Sequence, residues 1–141
     1  MFQVGKEINR RQDIHASYGG QRQGGIATPK GIEAVFLFTS PSGEAHGYSD
    51  GFRDDGTFWY TGEGQLGDMT MQKGNKAIFN HKENGKEIYL FEYTRQAHVR
   101  LLGKAECIGH HIEQRPDTEG NLREAFIFHL GINTEQGGTG G

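Results

Sequence analysis

The stretch that most constrains the fold spans residues 47–75 and reads GYSDGFRDDGTFWYTGEGQLGDMTMQKGN. Asp54, Asp55 and Gly56 form a typical polar turn between two aromatic segments. The segment after the turn, Thr57–Thr61, contains three successive aromatic residues, and neighbouring side chains of a strand point to opposite faces. These three rings therefore cannot all enter one core. The pattern is typical of a hairpin whose aromatic faces and fixed carboxylate can hold a planar, amine-bearing ring.

The rest of the chain predicts many short strands, because its 23 glycines and 3 prolines fall at turns between apolar runs. We expect six or seven strands and one or two short helices, in a mostly antiparallel sheet that curls into a barrel. The predicted strands are 34–39, 48–52 (an edge strand or loop), 57–61, 86–94, 97–114 with a bend at Gly103 or Gly109, and 124–132. Residues 73–82 predict a short helix, 4–13 a weak helix, and 117–121 a hairpin turn.

Composition places limits on the compartment and the partners. The chain has 141 residues, which is one ordinary domain, and a single cysteine, Cys107, which excludes an internal disulfide and favours a reducing, cytoplasmic compartment. Neither a leader nor an apolar run of about 18 residues is present, so we expect no secretion and no membrane partner. The net charge of −3 opposes nucleic-acid binding, but residues 1–31 hold five basic residues against two acidic ones, whereas 32–72 hold one against seven.

The motifs of common enzymes are missing. Seven histidines occur, yet none pairs with another residue at the spacing of a zinc site, and the adjacent His110 and His111 would point to opposite faces of a strand. The glycines of 62–67 have dinucleotide-binding spacing, but Glu63 would repel a pyrophosphate. Cys107 lies inside a predicted strand, where packing is the expected role. We therefore predict no catalytic residue, no metal site and no cofactor.

Three segments in order carry a resemblance to a known family. They are Gly51-Phe52-Arg53-Asp54-Asp55, then Tyr60-Thr61-Gly62-Glu63-Gly64, then Asn75-Lys76-Ala77-Ile78. This pattern resembles the SRA (SET- and RING-associated) domain, a reader of modified cytosine. The resemblance implies an α+β, mainly β fold over residues 1–135, a PUA-like curved antiparallel β-barrel with one or two short flanking helices. The glycine-rich composition of 136–141 separately predicts a linker or appended tail. Bacterial members occur in modification-dependent (type IV) restriction endonucleases, often joined to an HNH nuclease.

The resemblance also implies a set of site residues. Phe52 and Tyr60 would sandwich a base flipped out of duplex DNA, Asp55 would accept hydrogen bonds from its amine, and Thr61 would complete the polar edge. Trp59 is the remaining aromatic residue of this pocket. A finger loop would fill the vacated stack with Gln21, Arg22 and Gln23. The phosphate contacts would come from the start of the predicted helix and from the basic N-terminal part of the chain, with the residues Lys73, Gly74, Asn75, Arg10, Arg11 and Lys30.

The resulting hypothesis is a non-enzymatic module that binds double-stranded DNA containing 5-methylcytosine or a related 5-substituted cytosine. A C-terminal nuclease domain and a homodimer are the further partners expected of a full-length protein. Two other functions stay open on the sequence. One is an RNA-binding PUA-like domain that recognises a modified or unpaired base. The other is a small-molecule enzyme with Asp54 or Asp55 as its general base.

Overall fold

Eight strands form one curved sheet in the part of the chain that the structure, a computed structural model, describes: residues 2–19, 25–39 and 50–133. The strand order is β2-β3-β6-β7-β8-β5-β4, and β1 pairs with β7. Of the predicted segments, the finger residues 21–23, Tyr48 and the tail 136–141 lie outside the described residues. The strands are β1 Glu7–Asn9, β2 Ile26–Ala27, β3 Ala34–Thr39, β4 Gly51–Phe52, β5 Thr57–Thr61, β6 Glu87–Arg95, β7 His98–Pro116 and β8 Leu122–Asn133.

The mainly β, curved architecture confirms the predicted fold class. Each described strand pair is antiparallel except β3 with β6, which is parallel. The outermost strands of the order, β2 and β4, do not pair with each other in the described part of the chain, so this sheet curls but stays open. Among the described residues, no helix combines the length and the apolar character that crossing a bilayer requires.

The parallel pair, β3 with β6, is deeply buried. All six residues of β3 are buried, and so are four successive residues of β6, 88–91. Strands that are buried on both faces read as continuous apolar runs, which explains the AVFLFT sequence of β3. Alternate side chains enter two cores. One contains Leu37, Leu90 and Phe128, and the other contains Phe36 and Phe91.

The longest strands, β7 and β8, form a hairpin that confirms the predicted turn and bends. Asp117 closes the turn, because its Oδ1 accepts the N–H groups of Glu119 at 2.9 Å and Asn121 at 3.0 Å. The register of β7 shifts next to Gly103 against β6, and between Cys107 and Gly109 against β8. Such bulges bend a strand and increase its twist, so they curve the sheet.

The helices are short, and the N-terminal one differs from its prediction. Helix α2, Lys73–Phe79, ends before the predicted boundary at 82 and buries Ile78 in the core. The predicted helix over 4–13 is wrong at residues 7–9, where β1 pairs with β7. The helical part begins later, with a π-helical segment, Arg10–His15, that continues into α1, Ala16–Tyr18. Residues 7–9 form a strand because β7, about ninety residues further along the chain, supplies hydrogen-bonding partners for their backbone.

Candidate nucleic-acid interface

The candidate site is built on the β4–β5 hairpin at one edge of the sheet. Gly51 lies opposite Trp59, and Phe52 lies opposite Phe58. Asp55 closes the turn, since its Oδ1 accepts hydrogen bonds from the backbone N–H of Thr57 at 2.9 Å and from the Thr57 hydroxyl at 2.6 Å. On its other side, β5 pairs along its whole length with β8. The hairpin is therefore a firmly held edge whose far strand, β4, is only two residues long.

The side chains of β5 alternate between two faces, as the sequence predicted. Phe58 and Tyr60 are 4% and 3% exposed and belong to the core, whereas Trp59 and Thr61 are half-buried on the opposite face. Tyr60 and Thr61 thus point in opposite directions from neighbouring positions. One ligand on the Thr61 face cannot also stack on the ring of Tyr60.

Tyr60 has an internal role that corrects the expectation of an open stacking wall. Its hydroxyl lies 2.7 Å from the carbonyl oxygen of Gly25 and 3.1 Å from that of Phe38. Burial raises the pKa of Tyr60, so the phenol stays protonated and donates to these acceptors. Gly25 directly follows the segment with the predicted finger residues. Tyr60 therefore anchors the base of that segment, and its ring packs in the core.

The other two aromatic residues of the predicted pocket are more accessible. Phe52 is 51% exposed and packs against Phe58 in an edge-to-face arrangement, with ring centroids 5.1 Å apart at 88°. Trp59 lies on the other face, stacked parallel to His129 at 5.1 Å, with the guanidinium of Arg53 at 4.3 Å from its ring centroid. Phe52 is thus the ring of the hairpin that has a surface free for stacking on a base.

The two predicted polar residues of the pocket, Asp55 and Thr61, lie at opposite ends of β5. Asp55 is exposed in the turn next to Thr57, and the hydrogen bonds from Thr57 lower the pKa of its carboxyl. Four strand positions separate Thr57 from Thr61, which is roughly 13 Å. The structure therefore does not bring Asp55 and Thr61 to one site.

A carboxylate that the sequence analysis did not single out lies beside Thr61 instead. Asp50 immediately precedes β4, and its Oδ1 accepts the backbone N–H of Thr61 at 3.0 Å and the Thr61 hydroxyl at 2.6 Å. Burial raises the pKa of Asp50, and the two hydrogen bonds from Thr61, followed by the cations of Arg115 and Arg53, oppose that shift. The pairing of Gly51 with Trp59, counted outward from the turn, is the signal that could have placed residue 50 next to 60 and 61.

The comparison with protein families now identifies the domain. A family model described as "ScoMcrA-like, SRA domain" matches residues 4–136. This chain belongs to the ScoMcrA-like SRA domain family. The predicted family and its PUA-like fold are thereby confirmed. No curated protein sequence matches the chain significantly.

Solved structures of SRA domains share the fold of this one. The sulfur-binding and SRA domains of ScoMcrA, complexed with phosphorothioated DNA, are 23% identical with a TM-score of 0.75, covering 96% of this chain and 41% of that one. MspJI with a 27-mer oligonucleotide is 16% identical, with a TM-score of 0.71 and coverages of 92% and 42%. The SUVH5 SRA domain with methylated CHH DNA is 20% identical, with a TM-score of 0.67 and coverages of 96% and 91%. This SRA domain thus spans about two fifths of the ScoMcrA and MspJI chains.

Two of the predicted phosphate contacts of this SRA domain are used inside the fold. The backbone N–H of Gly74 donates to the carboxylate of Glu63 at 2.9 Å. Asn75 is 1% exposed, accepts the Glu63 N–H at 2.8 Å, and donates to the carbonyl oxygens of Glu63 and Thr70. Glu63 thus occupies the start of α2 and engages both Gly74 and Asn75, whose contact with phosphate stays a prediction. Lys73 is exposed.

Arg10, a third predicted phosphate contact, is also structural. It is 2% exposed, and its guanidinium lies 3.7 Å from the centroid of the Phe38 ring. Its Nε donates to His15 at 2.9 Å and its Nη1 to the Tyr93 hydroxyl at 2.6 Å. Such a buried cation is held by stacking and hydrogen bonds and is not offered to DNA. Arg11 and Lys30 are exposed, so they stay candidates.

The structure also contains a cluster of two histidines and one glutamate on β7 and β8 that the sequence did not predict. His111 Nδ1 lies 2.6 Å from His129 Nε2, and His111 Nε2 lies 2.5 Å from Glu113. Burial, and then the neighbouring His111, lower the pKa of His129, while the hydrogen bond from His111 lowers that of Glu113. No group of three metal-ligating side chains with suitable geometry occurs among residues 2–19, 25–39 and 50–133. The cluster supports Trp59 by ring contacts from both histidines.

Proposed function

We propose that this SRA domain binds double-stranded DNA containing 5-methylcytosine or a related 5-substituted cytosine, and that it takes the modified base out of the helix. The observation that carries the proposal is the family match over residues 4–136. The known complexes of similar domains support it, since SUVH5 SRA structures contain methylated and hydroxymethylated DNA and the ScoMcrA structure contains phosphorothioated DNA.

The energetics of flipping show what the pocket must supply. Extruding a base costs a few kcal/mol. Stacking on one exposed ring, here Phe52, contributes about 1–3 kcal/mol. Stacking can therefore offset the extrusion but does not distinguish cytosine from thymine. Discrimination needs a fixed acceptor, because cytosine presents an amine where thymine presents a carbonyl oxygen.

Only a few basic side chains would contact the phosphates of the DNA. Arg11, Lys30 and Lys73 are the exposed members of the predicted phosphate set. The predicted finger residues, Gln21 to Gln23, would enter the duplex where the base leaves it. The acidic hairpin faces a polyanion, so the basic residues have to position the duplex around it.

The domain would act as a reader, with cleavage supplied by a nuclease elsewhere in a full-length restriction endonuclease. The enzyme alternative with Asp55 as general base is disfavoured by geometry. Asp55 is exposed, and the hydrogen bonds from Thr57 lower the pKa of its carboxyl, whereas a general base works best with a pKa near neutrality.

The test is a binding assay with matched duplexes. Fluorescence anisotropy would compare one labelled sequence that carries cytosine, 5-methylcytosine, 5-hydroxymethylcytosine or a phosphorothioate linkage at a single position. We expect the tightest binding for a 5-substituted duplex, together with a rise in the fluorescence of 2-aminopurine placed beside the modified base. Equal affinity for all four duplexes, or stronger competition by single-stranded RNA, would contradict the proposal.

A further inference from the structure

We infer that this domain associates with a second copy of itself through the open edge of β7, in an antiparallel pairing whose two-fold axis passes through Ile112. The β7 edge consists of residues 108–114. It belongs to the half of β7 that extends beyond the neighbouring strand β6. This association uses a surface outside the β4–β5 hairpin and takes place without DNA, so it does not depend on the proposed function.

Strand β7 is much longer than β6, so one edge of its second half has no neighbouring strand. β7 contains 19 residues and β6 contains 9. The register of β6 with β7 runs from His98 to Ala105, whereas that of β8 with β7 runs from Lys104 to Pro116. Beyond Ala105, β7 therefore pairs with a strand on its β8 side alone within the described part of the chain.

Three residues of the β7 edge direct their backbone groups away from β8. The carbonyl oxygen of Phe126 accepts the N–H of Gly62 at 2.8 Å, so it points away from β7. Its partner Ile112 therefore forms a non-hydrogen-bonded pair with β8, and so do His110 and Gln114 by the alternation of an antiparallel ladder. In residues 2–19, 25–39 and 50–133, nothing hydrogen-bonds to the backbone N–H or C=O of these three residues.

Both ends of the β7 edge are closed, which limits it to a short partner strand. The backbone N–H of Cys107, just before the edge, donates to Nε2 of His81 at 3.1 Å. Just after the edge, Pro116 has no N–H to offer to a ladder. Between these ends, Ile108 and Ile112 are 56% and 51% exposed. Proteins usually block exposed strand edges, so an open, partly apolar segment between two blocked ends is typical of an interface.

The second copy fits this edge because the segment is complementary to itself when it runs antiparallel. A two-fold axis at Ile112 pairs the two isoleucines with each other and pairs His110 with Gln114, so all the outward N–H groups gain acceptors. The same axis places the carboxylate of Glu113 opposite the imidazole of His111. An axis moved by one residue, to His111 or to Glu113, would place that residue opposite its own copy. Two carboxylates directly opposite each other destabilise a sheet, so the axis at Ile112 is favoured.

The association should be weak. Permanent dimers bury about 2,000 Å² or more, and one short strand pair with a single pair of isoleucines at its centre buries less. We therefore expect a dissociation constant of about 10–100 µM. The monomer should predominate in dilute solution, and the dimer should form as the protein concentration rises.

The first test uses the unaltered domain without DNA. Sedimentation equilibrium over roughly 5–500 µM protein should show a monomer–dimer transition. Amide hydrogen exchange, followed residue by residue, identifies the edge. At the highest concentration, exchange at His110, Ile112 and Gln114 should slow by about threefold to tenfold, because only the monomer exposes these amides. The amides of His111 and Glu113 should not change, since they already face β8.

A set of variants tests the position of the axis. Ile112→Pro removes the central outward N–H, and Ile112→Lys places two like charges on the axis; neither removes a hydrogen bond to β8. Leu66→Lys is the matched control, because Leu66 is 59% exposed and lies in the segment along the other edge of β8. We expect both Ile112 variants to weaken self-association by more than about tenfold, and Leu66→Lys to change it by less than about twofold.

The melting temperature of each variant shows whether its fold is retained, and the exchange pattern of the unaltered domain decides even if one variant unfolds. A domain that stays monomeric up to about 500 µM would overturn the inference. A dimer that survives both Ile112 variants, or whose protected amides lie elsewhere in the chain, would also overturn it, because its interface would not be the β7 edge.

Discussion

Removing the hydroxyl of Tyr60 should destabilise the fold although no ring is lost. In the structure, this hydroxyl lies within hydrogen-bonding distance of two backbone carbonyls, those of Gly25 and Phe38, in a buried position. Its single proton can be donated to only one of them at a time, and the 2.7 Å contact with Gly25 is the shorter. Phenylalanine at position 60 removes this donor from a site where the side chain is 3% exposed, while the Gly25 carbonyl keeps the N–H of Phe38 at 2.8 Å.

The magnitude is that of one buried hydrogen bond. Losing a typical intramolecular hydrogen bond costs about 0.5–1.5 kcal/mol. For a domain of this size, each kcal/mol lowers the melting temperature by about 3–4 °C. We therefore expect Tyr60→Phe to reduce the melting temperature by about 2–6 °C, measured by calorimetry, and to shift the urea midpoint without changing the slope of the transition.

The matched control is Tyr89→Phe. The Tyr89 hydroxyl donates to Glu87 at 3.0 Å, and Glu87 is exposed, so water can replace the lost donor. This variant should cost no more than about 0.5 kcal/mol. If both variants have the same stability as the unaltered protein, the assignment of Tyr60 to the core is refuted, and an open stacking position for its ring becomes the better explanation.

Three further outcomes are expected. Asp50→Asn should keep or raise the melting temperature at neutral pH. Burial raises the pKa of Asp50, so its negative charge opposes folding above that pKa. A clear loss of stability in this variant would contradict that reasoning. If Arg11, Lys30 and Lys73 each contact one phosphate, a plot of the logarithm of the association constant for modified DNA against the logarithm of the salt concentration should have a slope of about −2.7. Arg11→Ala should make this slope less steep by about 0.9, and an unchanged slope would show that Arg11 does not contact the DNA. The lowered pKa of His129 means that the unfolded chain takes up its proton first, so stability should fall as the pH drops below about 6.5, and His129→Gln should flatten the melting temperature between about pH 7 and pH 5.5.

The strands of this domain could be read from the sequence because local patterns decide them. Strand β3 coincides with one uninterrupted apolar run, and β5 has the predicted boundaries. The turn at Asp117 and the bends near Gly103 and Gly109 follow from residues that act within a few positions. In each case the residues whose interactions fix the conformation are close together in the sequence, so the local pattern is sufficient to predict it.

The errors fall where the deciding partner is distant in sequence. The N-terminal segment is a strand because β7 pairs with it. Gly74 and Asn75 are engaged within the fold by Glu63, eleven or twelve residues earlier. Arg10 is buried because Tyr93 and Phe38 receive its guanidinium. A single sequence shows the donors and acceptors but not which of them the fold has already matched.

The choice between the two aspartates illustrates the same principle at the site. A carboxylate in a tight turn is required by the turn itself, and Asp55 fulfils that role by accepting two hydrogen bonds from Thr57. The motif resemblance could identify the residue type but not the length of the hairpin that carries it. Strand β5 separates the turn from Thr61, and the carboxylate that accepts hydrogen bonds from Thr61 is that of Asp50, at the start of β4. Asp50 is half-buried, whereas Asp55 is exposed, so the distant pairing of β4 with β5 decides which carboxylate lies beside Thr61.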